Sequence, residues 1–149
     1  MVKKGVTLAL ARNDQLLNEY SMNGPTVVVV DDDEDNVVVL EVGLQTAGFV
    51  VKTARSVSEA LELLSAGHVD ALVTDYSLGD GTALELLASL GSQRPRLAIL
   101  VTGHGSPEDV ALSRAAGFDA HLVKPIDFRQ LELTLRSSPP IAEPTSSGP

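Results

Sequence analysis

Short apolar runs alternate with helical patterns along the middle of this chain. Residues 26–30 are almost continuously apolar, which is typical of a central strand covered on both faces of a parallel sheet. Four further runs predict strands, at 49–53, 69–74, 97–101 and 120–123. A helical pattern follows each run, so the sequence predicts five β–α units.

Capping signals mark the ends of the predicted helices. The sequence Ser56-x-x-Glu59 is a capping box that begins the second helix, and Ser106 followed by Pro107 begins the fourth. Asp127 is placed to cap the fifth helix. Glycines follow the first four helices as stop signals, at positions 48, 67, 91 and 117.

This alternation predicts an α/β fold in which helices cover both faces of a parallel sheet. Five strands are too few for a closed eight-stranded barrel. The sequence therefore favours a doubly wound, open (βα)5 sheet, a three-layer sandwich with the flavodoxin-like strand order 2-1-3-4-5. Ligands of such sheets bind beyond the carboxyl ends of the strands, where the strand order reverses.

The two ends of the chain differ from this middle part. Residues 1–24 have only weak periodicity and lead into the breaker Asn23-Gly24-Pro25, so we expect a weakly helical or disordered extension. Residues 138–149 are rich in proline and serine, which predicts a disordered tail or linker. The folded domain is therefore expected over 25–137.

Composition narrows the classes of function. With 149 residues and a formal net charge of -9, the chain fits one globular domain and disfavours direct binding to nucleic acid or anionic membranes. It has no cysteine, which excludes disulfides and thiolate chemistry and fits the cytoplasm. Its apolar runs are too short to span a membrane. We therefore expect a cytoplasmic protein that acts through protein partners.

Charged and hydroxyl side chains stand where the predicted strands end. Asp31 and Asp32 follow the first strand, Asp75 the third, Thr102 the fourth and Lys124 the fifth. Strands one and three are neighbours in the predicted order, so three carboxylates are expected together. Such carboxylates repel one another unless a cation neutralises them, and Mg2+ prefers oxygen ligands. The sequence therefore predicts a magnesium site beside a lysine suited to a phosphoryl oxygen.

Four segments, in this order, are similar to those of a known family. They are Val-Val-Val-Asp-Asp-Asp at 28–33, Leu-Val-Thr-Asp-Tyr-Ser-Leu at 72–78, Ile-Leu-Val-Thr-Gly at 99–103 and Val-Lys-Pro at 123–125. On these residues the chain, over about 25–137, resembles the CheY-like receiver domain of bacterial two-component response regulators. Four pieces in the right order are more specific than any one of them alone.

The resemblance implies a phosphoacceptor in signal transduction rather than a classical enzyme. Asp75 would take a phosphoryl group from a histidine kinase or phosphotransfer protein, assisted by Thr102 and Lys124. The implied magnesium ligands are Asp32 directly, Asp31 through water, Asp75, and Ser77 through its backbone carbonyl.

The resemblance also implies a switch and a partner surface. In the family, an aromatic residue on the fifth strand changes position after phosphorylation, and His121 stands at the matching position here. A cis bond is implied between Lys124 and Pro125. The surface for a downstream protein target would lie on the fourth helix, fifth strand and fifth helix, around Ser113, Arg114, His121 and Arg129. Without a DNA-binding output domain in the sequence, we expect the chain to act alone through this surface or to be a receiver excised from a longer hybrid kinase.

Other functions remain open. A pseudo-receiver, which is a phosphorylation-independent interaction module of the same fold, is the main alternative, but such domains tend to lose one of the acidic, threonine or lysine positions retained here. A phosphohydrolase with an aspartate nucleophile would want a second acid two residues after Asp75, where Ser77 stands. A flavin carrier would need a hydroxyl-rich phosphate loop after the first strand, where this chain has acids.

Overall fold

A computed structural model describes residues 24–137 and confirms the doubly wound α/β fold. The strands are β1 (Thr26–Val30), β2 (Val50–Ala54), β3 (Ala71–Asp75), β4 (Leu97–Thr102) and β5 (Ala120–Val123). The α-helices are α1 (Glu34–Thr46), α2 (Val57–Ala66), α3 (Ala83–Leu90), α4 (Pro107–Ala115) and α5 (Phe128–Arg136). All strands pair in parallel, in the order β2-β1-β3-β4-β5.

Two hydrophobic cores lie on opposite faces of the sheet because side chains alternate along each strand. Val28 and Val30 face the core under α2 and α3, while Val27 and Val29 face the core under α1 and α5. All four valines are almost fully buried. Both faces of the central strand are therefore covered, which explains its continuous apolar run.

Several predicted boundaries were wrong by one or two residues. Phe49 is not part of β2: it is buried, and its N–H donates to the carbonyl of Leu44 at 3.0 Å, in the turn that ends α1. Asp75 and Thr102 are the last residues of their strands rather than the first after them. This places both side chains at the carboxyl edge of the sheet.

The N-terminus of α2 differs from the predicted capping box. Ser56 accepts a hydrogen bond from the N–H of Glu59 as predicted, but the Glu59 carboxylate accepts from Arg55 rather than from Ser56. A residue distant in sequence caps two further backbone N–H groups of this helix: the Asp80 carboxylate accepts from Val57 N at 2.8 Å and from Ser58 N at 3.1 Å. These two bonds lower the pKa of Asp80.

The predicted extension and tail are largely outside this description. Of residues 1–24 only Gly24 is described, and 138–149 lie beyond the described residues. Those two predictions therefore stay predictions.

Candidate functional site

Three carboxylates meet at the carboxyl edge of the sheet. Asp31 follows β1 directly and is 4% exposed, and Asp75 ends the neighbouring strand β3. Asp32 is exposed at the edge of the group. One oxygen of each carboxylate lies within 4.8 Å of the others. The parallel pairing of β1 and β3 thus brings together the acids that the sequence placed at strand ends.

The carboxylate of Asp31 is held in place by the first turn of α1. It accepts hydrogen bonds from Asp33 N at 2.9 Å and from Asn36 Nδ2 at 3.2 Å. Burial raises the pKa of Asp31; the Asp33 bond opposes this, the charge of Asp75 adds to it, and Lys124 and Asn36 oppose it. Sequence reasoning missed Asn36, whose only signal is its position directly after the acidic run, five residues beyond Asp31.

The remaining acids of that run have a structural role. Asp33 is the N-cap of α1 and accepts from the N–H groups of Asp35 and Asn36. Glu34 and Asp35 lie in the first turn, where negative charge is favourable to the helix dipole. The acidic run therefore divides into two residues of the cluster and three that begin the helix.

Lys124 supplies the positive charge. Its Nζ lies 3.2 Å from Asp75 Oδ1 and 3.7 Å from Asp31 Oδ2. Its backbone N–H donates to the Thr102 carbonyl at 2.8 Å, and the peptide bond to Pro125 is cis, as the resemblance implied. The lysine is only partly exposed, so its ammonium group is directed at the carboxylates rather than into solvent.

Thr102 lies on β4, the strand next to Asp75, and Ser77 follows Asp75 by two residues. Asp75 pairs with Val101 across β3 and β4, so Thr102 is one residue beyond its partner and its hydroxyl accepts from His104 N at 3.2 Å. Ser77 lies in the turn after β3, where bonds from neighbouring residues, Leu78 N to Gly81 O and Ala83 N to Tyr76 O, close the turn. The backbone carbonyl of Ser77 is not used in either bond. Its part in metal binding stays a prediction.

The donor set fits a hard divalent cation. It consists of carboxylate oxygens, which Mg2+ and Ca2+ prefer over softer metals. The group carries three carboxylates against the single ammonium of Lys124, so a divalent cation would relieve the remaining repulsion. Asp31, Asp32 and Asp75 are the residues able to hold it.

The predicted partner surface needs one correction. Ser113 is 1% exposed, because it lies on the inward face of α4, and it cannot form part of a surface. Arg114 and Arg129 are exposed, and His121 is half-buried with its Nε2 2.8 Å from the carbonyl oxygen of His104. The use of this surface by a partner stays a prediction.

The fold and the site together define a class of protein. The family model described as "Response regulator receiver domain" matches residues 27–136, and the chain belongs to this family. Receiver domains of this kind are signalling proteins.

Particular relatives were found both by sequence and by structure. The chain is 32% identical over 111 residues to the response regulator protein PilR of Pseudomonas aeruginosa, covering 74% of this chain and 25% of that protein. It is 29% identical over 133 residues to the photosynthetic apparatus regulatory protein RegA of Rhodovulum sulfidophilum, covering 88% and 73%. The high-resolution structure of the chemotaxis response regulator CheY4 of Vibrio cholerae matches with a TM-score of 0.72 and 28% identity, covering 76% of this chain and 98% of that one.

The chain corresponds to only part of several relatives. It spans 25% of PilR, 28% of the transcriptional regulatory protein GlrR of Escherichia coli and 49% of PrrA of Mycobacterium bovis. Since transcriptional regulators are among the relatives, the expected lack of a DNA-binding output stays a prediction. Within residues 24–137, no helix has the length and apolar character needed to cross a membrane.

Proposed function

We propose that Asp75 is the phosphoacceptor of a two-component system and takes its phosphoryl group from a histidine kinase or phosphotransfer protein. The observation that supports this most is the position of Lys124 Nζ, 3.2 Å from Asp75 Oδ1 beside a cluster of three carboxylates. Phosphoryl transfer depends mainly on positioning and on neutralising charge on the transferred oxygens. In the proposed reaction Asp75 would be the nucleophile, with the Lys124 cation and a metal-binding group beside it.

Each residue has a definite part in the proposed reaction. A carboxylate oxygen of Asp75 forms the new bond to phosphorus while the bond from phosphorus to the donor breaks, and the donor leaves with the electron pair. The Lys124 ammonium neutralises a phosphoryl oxygen. Asp31 and Asp32, with Asp75 itself and the Ser77 carbonyl, would hold Mg2+, which supplies further positive charge to the phosphoryl oxygens when bound.

The proposed output is a change at the surface of α4, β5 and α5. A phosphoryl group at Asp75 adds negative charge next to the Thr102 position, and the threonine hydroxyl is a donor that would move toward it. Thr102 pairs with Val123 of β5, two residues along the strand from His121, so its movement would reach the proposed surface through β5. The proposed target is a protein that binds this surface differently in the two states.

Intact-mass spectrometry tests the proposal. The chain is incubated with Mg2+ and acetyl phosphate, and we expect a gain of one phosphoryl group in the native chain and none in Asp75→Asn. Glu62→Gln is a matched control, because it removes an exposed carboxylate away from the site, and it should be phosphorylated like the native chain. No gain in the native chain, together with no Mg2+ binding by titration, would refute the proposal and favour the phosphorylation-independent interaction module.

A further inference from the structure

The chain between β3 and α3 forms a small hairpin over residues 77–82. Ser77 and Thr82 are bridged as an antiparallel pair, and across the hairpin the Leu78 N–H donates to the Gly81 carbonyl at 2.9 Å. The Leu78 N–H and the Ser77 carbonyl belong to one planar peptide group, in which they point in opposite directions. The bond to Gly81 therefore sets the direction of the Ser77 carbonyl, which points out of the hairpin.

The backbone at the tip of this hairpin has unusual freedom. Two of its residues are glycines, and Gly79 has a φ of +81°, a conformation that other residues rarely adopt. A backbone bond from Asp80 N to the Leu78 carbonyl, at 2.9 Å, spans the tip. The side chain of Leu78 is buried in the core under α2 and α3, but it anchors only the arm of the hairpin that follows β3. The position of Gly81 therefore depends on contacts outside the hairpin.

Asp80 supplies such a contact, at the N-terminus of α2. Its carboxylate accepts from Val57 N at 2.8 Å and from Ser58 N at 3.1 Å, which are 23 and 22 positions away along the chain. Gly81, the next residue, lies against the same turn, since a Cβ atom built on it would be 3.1 Å from Val57 Cγ2. Hydrogen bonds from backbone N–H groups to an ionised carboxylate are among the stronger ones in proteins. These bonds hold the tip of the hairpin against α2.

The start of α2 already has a local cap. The Ser56 hydroxyl accepts from Glu59 N at 3.0 Å. Asp80 caps two further N–H groups of the same turn, but it does so from another part of the chain. The Asp80 contact therefore adds a link between α2 and the hairpin that carries Ser77.

We propose that Asp80 is a positioning residue for the Mg2+ site at Asp75. Its carboxylate fixes Gly81 against α2, the Gly81 carbonyl fixes the Leu78 N–H, and the shared peptide group fixes the direction of the Ser77 carbonyl. This inference rests on the proposed function, in which that carbonyl is one of the Mg2+ ligands. Because Mg2+ requires near-ideal octahedral geometry, a carbonyl that is free to turn binds it less well.

Titration calorimetry with Mg2+ on the full chain tests this link. In Asp80→Ala we expect the dissociation constant to rise roughly tenfold, as when other residues that orient metal ligands are removed. Ser56→Ala is the matched control, because it removes the other side-chain cap of α2 but leaves the hairpin bound, and its dissociation constant should equal that of the native chain. A native-like constant in Asp80→Ala, or an equal rise in Ser56→Ala, would overturn the proposal.

Asp80→Asn separates the hydrogen bonds from the charge. It keeps one oxygen able to accept from Val57 N but loses the negative charge. We therefore expect its Mg2+ dissociation constant to lie between those of the native chain and Asp80→Ala. Equal constants in the two variants would assign the effect to charge alone and would contradict the positioning role.

Phosphorylation by acetyl phosphate at increasing Mg2+ concentrations distinguishes positioning from a general loss of structure. In Asp80→Ala the Mg2+ concentration that gives half the maximal rate should rise roughly tenfold. The maximal rate should stay that of the native chain, because the carbonyl is held in place once the ion is bound. A lower maximal rate with an unchanged half-saturating concentration would argue decisively against the proposal.

Amide hydrogen exchange of the native chain needs no variant. If Mg2+ binds more tightly while Asp80 is bound to α2, saturating Mg2+ must suppress the release of Asp80 by the same factor. Exchange of the Val57 and Ser58 amides should then slow when Mg2+ is added, whereas the Glu59 amide, which is bonded to Ser56, should not change. Equal rates at Val57 and Ser58 with and without Mg2+ would overturn the proposal.

The outcomes separate this inference from the proposed function. If the native chain and Asp80→Ala bind Mg2+ equally and both gain a phosphoryl group, the role of Asp80 is refuted and Asp75 remains the phosphoacceptor. If the native chain gains no phosphoryl group but Asp80→Ala loses Mg2+ affinity, the phosphotransfer is refuted and the positioning role is supported. A native chain that neither binds Mg2+ nor gains a phosphoryl group refutes both.

Discussion

Gly43 in α1 lies against the ring of Phe128, the first residue of α5. A Cβ atom built on Gly43 would lie 2.6 Å from Phe128 Cε1 and 2.9 Å from Cζ. Carbon atoms in contact prefer about 3.5–4.0 Å. The Phe128 ring would therefore have to move by roughly 1 Å to accept an alanine. We predict that this ring decides whether Gly43→Ala raises or lowers the free energy of unfolding.

The size of the effect follows from two opposing terms. Alanine in a helix interior is more favourable than glycine by about 0.8–1.0 kcal/mol, and overpacking a filled site costs about 1–3 kcal/mol. Gly43→Ala should thus lower the free energy of unfolding by up to about 2 kcal/mol in the native background. In Phe128→Ala the ring is absent, so the same change should raise it by about 1 kcal/mol.

Urea unfolding of the four chains of this double-mutant cycle measures both effects. Gly67→Ala is the control, because Gly67 has extended backbone and nothing lies within 4 Å of the place that its Cβ atom would take, and it should change stability little in either background. The reasoning is refuted if Gly43→Ala shifts stability by the same amount with and without the Phe128 ring.

Three further predictions concern the core, the pH dependence of stability and the metal. Leu86→Ala, at a fully buried position, should lower the free energy of unfolding by about 2–5 kcal/mol in urea titrations. Burial alone would raise the pKa of Asp70, but the hydrogen bonds from Thr26 and His68 hold this pKa below its usual 3.8. The ionised Asp70 therefore stabilises the folded chain fully above pH 3.8, and this contribution is lost as the pH falls through the lower pKa of the folded state. Asp70→Asn should flatten that acid limb, measured as urea midpoints against pH. Mg2+ at 100 times its dissociation constant should stabilise the native chain by about 2.7 kcal/mol, and calorimetry should show this gain reduced in Asp31→Asn.

Much of the site could be predicted because topology places it. Residues that end parallel strands share one edge of the sheet, so Asp31, Asp75 and Lys124 could be grouped from the order of strands alone. The alternation of short apolar runs with helices favoured a doubly wound open sheet, of which the flavodoxin-like order is one common arrangement. Local sequence and global fold agree at these positions, which is why reasoning from patterns succeeded.

The parts that could not be predicted depend on contacts between distant segments. Ser113 reads as an exposed helix residue because its own side chain is polar, and only the packing of α4 shows that it is buried. The bond from Val57 to Asp80 joins residues 23 positions apart, and the capping box at Ser56 gave no sign of it. Asn36 is similar, since its side chain could equally have faced solvent.

The strand that positions the ammonium group of the site lies at the open edge of the sheet, whereas the strands that position its carboxylates lie inside the sheet. Asp31 follows β1 and Asp75 ends β3, and each of these strands is paired on both sides, whereas Lys124 follows β5, which pairs with β4 alone. A brief opening of the last β–α unit would withdraw the ammonium group and leave the acids in place as an uncompensated negative cluster. Amide hydrogen exchange along β5 would therefore report how often the site loses its own cation.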